Sequence, residues 1–501
     1  MRHEPGTLDP RLPILIGVGA AHHVPDAGAG DDPDTLPDPI DMMVSAARSA
    51  IEDTGAGGHL GQLLARIGTV AVPTGNWAYG DAARLVADRL GCRSAHTIRV
   101  EIGVPQHAPV AAALAAVAAG TIEAALVVGG EAKASQLAVQ RAGGGPAGTT
   151  PDGQVPDECW QPQGEIMAEP EIQVGMWDAV AHYACIDAAL RHAEGVSVAT
   201  HLDQIAELWH GCNQVATSNP DAAFGEPRSR EFLRAAGPGN RPLAFPYAKW
   251  HSTQWAVDQG AAMVVCSVGV ARELGVPTDR WVFPQVALES SSSVSLTRRA
   301  ELGRWQAMEV LGDAASRHLG RPLSQVEHVE LYSCFPAAVR VQQRELGLPL
   351  DGVPTITGSM AFAGGPFNNF SYQSTHAMVG RLRTDPGSLG LVSTVSGLLT
   401  KPALAVWSTE PGPLLLADLG ERAAAATPTR QVTGSASADA RIATLTVTYD
   451  GSEPVSAFVV ADLLDGRRWI GTTTDPGLLA DGVRTELIGS SVHVEGGTCS
   501  R

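Results

Sequence analysis

Apolar positions in the first 130 residues fall into short continuous blocks separated by helical periodicity. Pro13 to Val18 is a β-branched run closed by Gly17 and Gly19, which predicts a buried strand. A Pro/Asp/Gly loop over 25–39 leads into a helix from Ile40 to about Asp53, with Asp38 as N-cap and Gly55 as stop. Strands follow at Ile67–Val72, Thr97–Ile102 and Ala124–Val128, and helices at Asp81–Leu90 and Pro109–Ala119. Apolar strands joined by helical crossovers predict a parallel sheet covered on both faces.

Residues 131–245 break this rhythm with the glycine-rich stretch GGGPAGTTPDG and amphipathic stretches at Met176–Arg191 and His201–Val215, a helical insertion. The sheet pattern resumes at Ala261–Ser267. A second set runs through strands Val282–Leu288, His328–Tyr332 and Leu389–Thr394 and helices Ala300–Leu319 and Pro336–Leu346. Beyond Pro413 the segment GERAAAATPTRQVTGSASADA reads as a linker. Then ARIATLTVTYDGSEPVSAFVVADLLDGRRWIG alternates with period two around Asp450-Gly451 and Asp465-Gly466, a small antiparallel β domain. The expected division is 1–130 with 246–275, an insertion at 131–245, a second half at 276–412, a linker at 413–440 and a β domain at 441–501.

Composition narrows the function classes. With 44% hydrophobic and 18% charged residues among 501, the chain is not a disordered one. A formal net charge of −18 repels phosphate backbones, so no nucleic-acid partner is expected. Residues 413–501, the linker with the β domain, carry seven Arg and no Lys against eleven acids, which denies the β domain the basic groove of an oligonucleotide binder and suits packing or partner docking. Seven scattered cysteines form no CxxC pair, and no apolar run reaches the ~18 residues of a membrane span. A soluble, cytoplasmic protein is expected.

Common chemical motifs are missing. Gly143–Thr150 lacks a phosphate-loop Lys, Gly17-Val18-Gly19 has no third Gly for a dinucleotide fingerprint, and Gly195–Ala199 lacks the last Gly of a nucleophile elbow. His22, His23, His182, His192 and His201 lack zinc-site spacing, so no metal is expected.

Five segments in order resemble the thiolase superfamily. AAALAAVAAGTIEAALVVGGEAKAS (111–135) resembles the helix and strand after the nucleophile loop, and PYAKWHSTQWAVDQGAAMVVCS (246–267) the Asp-Gly-Ala-Ala-type segment. VELYSCFPAAVRVQQRELGLP (329–349) resembles the His-Asp-Cys-Phe loop of sterol-carrier-protein-2 type thiolases, and TGSMAFAGGPFNNFSYQSTHAMV (357–379) the Gly-His-Pro loop. SGLLTKPALAVWSTEP (396–411) resembles the last catalytic loop and strand, and the extra β domain resembles that of type 1 thiolase-like proteins. The resemblance implies an α/β thiolase fold: two βαβαβαββ halves in five layers, α/β/α/β/α, with a helical loop domain and a small OB-like C-terminal β domain. It also implies an acetyl-CoA acetyltransferase-like family, lipid metabolism, coenzyme A as a substrate moiety with no other cofactor, and a homodimer or a partner docked on the β domain.

The departures from the family pattern bear on chemistry. The nucleophilic Cys position falls at Gly103, the His of Gly-His-Pro at Gly365, and the acid/base Cys near Val395 or Ser396. The second-loop Asn or His falls at Tyr332, followed by Ser333, Cys334 and Phe335. Claisen chemistry needs a thiolate, a base and a proton donor, so ordinary thiolysis is not expected. Tyr332 is the candidate catalytic group for a non-Claisen C–C lyase on a bulky acyl-CoA; the alternative is a tyrosine that fills space. His107 is the second candidate, placed to enter the pocket or simply to open a helix, and His376 is read as structural. Cys334 is the family's ordinary loop cysteine. Lys249 and His251 are candidate contacts for CoA phosphates, and two glycines at 103 and 365 predict a roomy pocket. The alternative for the whole chain is a non-catalytic CoA- or lipid-binding subunit.

Overall fold

The computed structural model describes residues 8–24, 35–143 and 153–501. Most of the loop expected at 25–39 and of the glycine-rich stretch at 143–153 lies outside the described residues.

Two sheets are stacked with helices between and outside them. The first has the strand order Pro13–His23, Asp258–Ser267, Ala124–Ala132, Ile67–Pro73, His96–Val100, Glu158–Trp160. The second runs His328–Glu330, Leu389–Ser396, Lys401–Ser408, Phe283–Glu289, Leu415–Asp418. Helices Ala108–Ala119 and Phe370–Thr384 fill the space between the sheets, where Leu114, Val127, Met263, Met378 and Trp407 form one core. Helices Pro39–Asp53 and Ala82–Leu90 cover the outer face of the first sheet, and Gln306–Leu319 and Pro336–Glu345 that of the second. This is the five-layered α/β/α/β/α arrangement that the resemblance implies.

Local signals explain the elements. Asp38 caps its helix through a reciprocal pair, accepting from Asp41 N at 2.7 Å while its own N–H reaches the Asp41 carboxylate at 3.0 Å. Gly17 and Gly19 do not end the first strand, which continues to His23. They let the helix lie against it: a Cβ at Gly17 would stand 2.1 Å from Ala50 O, and one at Gly19 2.2 Å from Ala46 O.

The first sheet is mixed, not all parallel. Ile67–Pro73 runs parallel to both His96–Val100 and Ala124–Ala132, but Asp258–Ser267 enters antiparallel between Pro13–His23 and Ala124–Ala132. That strand returns from the helical insertion and so meets the sheet from its other end. The insertion also contributes Glu158–Trp160, which pairs with His96–Val100 at the sheet edge.

Residues 413–440 are more ordered than a linker. Leu415–Asp418 adds a parallel strand to the second sheet, and Gly420–Ala426 is a short helix whose Ala423 is buried in the core. Alanine and small polar residues suit such close packing, which period-based reading does not register. The C-terminal strands Ala436–Asp450, Glu453–Leu463, Arg468–Thr473, Thr498–Ser500 and Ser491–Gly496 pair in turn and close into a five-stranded barrel. Its Asp450-Gly451 and Asp465-Gly466 turns have glycines at φ 60° and 90°, as the turn signals require. Arg468 is 1% exposed and fastens the barrel to the body: it pairs with Asp462 at 2.7 Å and donates to the carbonyls of Thr297, Arg299 and Ala300.

Candidate functional site

One cavity of about 770 Å³ collects the positions that the sequence singled out at distant points of the chain. Gly103, Tyr332, Gly365, Val395 and Ser396 all line it, as do Cys334 and Lys249. The loops after strand His96–Val100, after His328–Glu330, before helix Phe370–Thr384 and after Leu389–Ser396 bring them there. Parallel strands of both sheets end toward this region, the usual place for a site in an α/β fold.

Tyr332 is held from several sides. Its N–H donates to Ser393 Oγ at 2.9 Å and its carbonyl accepts from Gln342 Nε2 at 2.8 Å. Its ring meets Phe370 edge-on at 5.8 Å, and its hydroxyl accepts from Gln106 Nε2 at 3.2 Å. With a donor already on its oxygen, the hydroxyl still has its own proton to donate. Burial, with Cys334 adding, raises the phenol well above its ordinary range, and the Gln106 bond offsets only part of that. The group is therefore a proton-bearing hydrogen-bond donor at neutral pH and not a base.

Gln106 is a residue that sequence reasoning missed. Its N–H donates to Ser396 Oγ at 3.1 Å, and its carbonyl accepts from the Tyr372 hydroxyl at 3.0 Å. It ties the first, third and fourth site loops to Tyr332. No motif marks a glutamine for this; only its place beside Gly103 and His107 hinted at the region.

His107 itself turns away. It is 6% exposed, its Nε2 has no partner, and it does not line the cavity. Burial drops its pKa to about 4, so the ring is neutral. His251 is likewise internal: its Nδ1 accepts from Ala248 N at 3.1 Å and its Nε2 donates to Leu233 O at 2.6 Å. Both ring nitrogens are thus spent inside the protein and leave none for a phosphate. His376 lies on helix Phe370–Thr384, away from the cavity and 3.9 Å from Asp221. Lys249 is exposed at the cavity mouth beside Arg241, to which its backbone N–H is bonded at 2.9 Å.

The two site glycines differ in what surrounds them. Gly103 has φ +96°, a conformation that side chains resist, and its carbonyl accepts from Lys401 Nζ at 2.8 Å. A Cβ on Gly365 would lie 2.1 Å from Thr253 Cγ2, so the room expected there is already occupied. Cys334 is buried and bonded to the Tyr183 hydroxyl, and burial pushes its thiol up to about 12, far from a thiolate. Val395 offers only an apolar side chain. Phe367 at φ 38° and Leu399 at φ 53° border the site as left-handed non-glycine residues, a local strain held by the packing. Arg299, 2% exposed, braces the fourth loop through the carbonyls of Leu398 at 3.1 Å and Leu399 at 2.6 Å.

No protein-family model matches the chain, and no curated protein matches it in sequence. Among solved structures, a monomeric SCP2-thiolase like protein type 1 from Mycobacterium smegmatis is similar over 98% of this chain and 100% of its own, with 27% identity and a TM-score of 0.82. The Ltp2-ChsH2(DUF35) aldolase is similar over 80% of this chain and 99% of its own, at 17% identity and a TM-score of 0.59. Human mitochondrial 3-ketoacyl-CoA thiolase in complex with CoA is similar over 79% and 98%, at 14% identity and a TM-score of 0.54. The latter two show the fold alone.

Proposed function

We propose that this chain, an SCP2-thiolase-like member of the thiolase superfamily, binds acyl-CoA thioesters in the 770 Å³ cavity and cleaves a carbon–carbon bond by non-Claisen chemistry, with Tyr332 as hydrogen-bond donor. The observation that carries this reading is the convergence of Gly103, Tyr332, Gly365 and Val395 on one cavity with a cationic mouth. The family's own class is acyl transfer, but no thiolate, imidazole or second thiol stands at those positions. Arg241 and Lys249 at the mouth suit the phosphates of CoA, and Phe335, Met360, Phe367 and Leu398 inside suit an apolar acyl group. A neighbour that is described as an aldolase and one that holds CoA are consistent with the same reading.

In such a lyase, a retro-aldol step would develop negative charge on a thioester enolate. The Tyr332 hydroxyl, held by Gln106 in the cavity wall, would donate to that oxygen. The second reading is a CoA- or lipid-binding protein without catalysis. The absence of a base among the candidates favours it, since Tyr332 and Cys334 both keep their protons. No described helix is long and apolar enough to cross a membrane, and all seven cysteines are free thiols, which suits the cytoplasm. The edge strand His96–Val100 is covered by the chain's own Glu158–Trp160, which suits a monomer over a dimer paired through that edge. The OB-like barrel is then packed on its own body through Arg468 and offers its outer face to a partner protein.

A thermal-shift titration tests the shared claim of both readings. An acyl-CoA at ~100 times its Kd should add roughly 2.7 kcal/mol of stability. An unchanged melting temperature up to millimolar acyl-CoA would sink both.

A further inference from the structure

The loop 103–108 divides two cavities. Gly103 and Gln106 face the site described above. Val104, Pro105 and Ala108 face a second cavity of about 350 Å³, which Trp160, Lys401 and Glu289 help to enclose. We propose that this second cavity captures a small aldehyde or ketone, with Lys401 Nζ forming an imine to its carbonyl carbon and Glu289 moving the protons.

Lys401 opens strand Lys401–Ser408 and is 1% exposed. Among the described residues its amine has one partner, Gly103 O at 2.8 Å, and no carboxylate within ion-pair distance, although Glu289 and Asp418 line the same cavity. Burial without a counter-charge lowers its pKa and so raises the share of free amine above that of an ordinary lysine. A free amine that donates one hydrogen to Gly103 keeps its lone pair for attack, so that hydrogen bond need not break. Glu289 stands at the end of the neighbouring strand Phe283–Glu289, with its Oε2 buried and unpartnered. Burial, with Asp418 adding, lifts its pKa to about 7, so both protonation states are populated at neutral pH.

The step balances without an oxidant or reductant. The Lys401 lone pair adds to the carbonyl carbon, the carbonyl oxygen gains a proton, and the nitrogen loses one. The carbinolamine then loses its hydroxyl as water on protonation by Glu289. The nitrogen keeps its remaining proton on Gly103 O, leaving a protonated imine balanced by the Glu289 carboxylate. A volume of 350 Å³ is at the small end of ligand pockets, and Trp160, Val104 and Pro105 give it an apolar wall, so short-chain carbonyl compounds fit. This inference does not rest on thioester binding.

The chain has three lysines, at 133, 249 and 401, which makes the test direct. Native protein at pH 7 is treated with propanal or 2-butanone and sodium cyanoborohydride, and alkylation of each lysine is followed by peptide mass spectrometry. Lys401 should be alkylated at least tenfold faster than exposed Lys249, and Glu289→Gln should slow it at least tenfold. A Lys401 that stays unmodified, or reacts no faster than Lys133 and Lys249, overturns the proposal. So does full-rate labelling in Glu289→Gln. Should that variant not fold, the comparison of the three lysines in the unaltered protein decides alone.

Discussion

The Thr253 methyl occupies the place that a side chain at Gly365 would need, 2.1 Å from the position of its Cβ. Thr253 is itself fixed, with its N–H on Cys334 O at 3.0 Å and its hydroxyl on the same carbonyl at 3.3 Å. The packing of two loops therefore leaves no room for a side chain at 365, and placing an imidazole there would take more than a single substitution.

Acetoacetyl-CoA thiolysis is accordingly expected at background, and Gly103→Cys with Gly365→His should not restore it. The left-handed backbone at 103 and the Thr253 contact should also make the double variant less stable, by about 1–3 kcal/mol. Steady-state thiolysis and urea unfolding check both parts. Turnover above ~1 s⁻¹ in either protein contradicts the first.

Tyr332→Phe should lower a lyase rate on a bulky acyl-CoA about 10²-fold or more while acyl-CoA binding changes little. Gln106→Leu, which frees the Tyr332 hydroxyl to turn, should show a smaller loss in the same direction. Rates and thermal shifts on the single and double variants would show whether the two act as a unit. Unaltered rates in Tyr332→Phe would leave it a space-filling residue.

Arg468→Met should uncouple the barrel from the body. It removes the partner of half-buried Asp462 and leaves the carbonyls of Thr297 and Arg299 without their donor, a change on the scale of about 1–3 kcal/mol. Because Arg299 in turn braces the Leu398–Leu399 loop, acyl-CoA binding should weaken as well. Limited proteolysis near 430–440, compared with the unaltered chain, reads the first effect; retained protection there would count against it.

Acid should destabilise the fold through its buried histidines. His107 and His251 titrate near 4 when folded and near 6.5 when unfolded. Below pH 6.5 the unfolded chain binds protons that the folded chain refuses. The stability is whole above pH 6.5 and falls as pH drops toward 4, by up to about 3 kcal/mol for each ring. His107→Leu removes one of the two, so its urea midpoint should fall less steeply between pH 6.5 and 4.5. An equal slope in the variant would remove His107 from this account.

Sequence by itself determined the layers and the loops. Apolar blocks, caps such as Asp38 and turns such as Asp450-Gly451 are local, and local physics places them within a few residues. The order of segments around Gly103, Tyr332, Gly365 and Val395 resembled one superfamily, and those four positions do share a cavity. What tertiary structure decided was what each position meets. The ring of His107 turns inward while Gln106 beside it takes the site, because the loop's facing alternates in a way that no periodicity announces. His251 spends both nitrogens on backbone groups 3 and 18 residues away in sequence. The small residues of 413–440, which read as a linker, become strand and helix only because a sheet edge and the helix Gln306–Leu319 stand ready to pair with them. Burial acts in the same non-local way: neither Tyr332 nor Lys401 carries in its own neighbourhood of sequence the desolvation that raises the phenol's pKa and lowers the amine's.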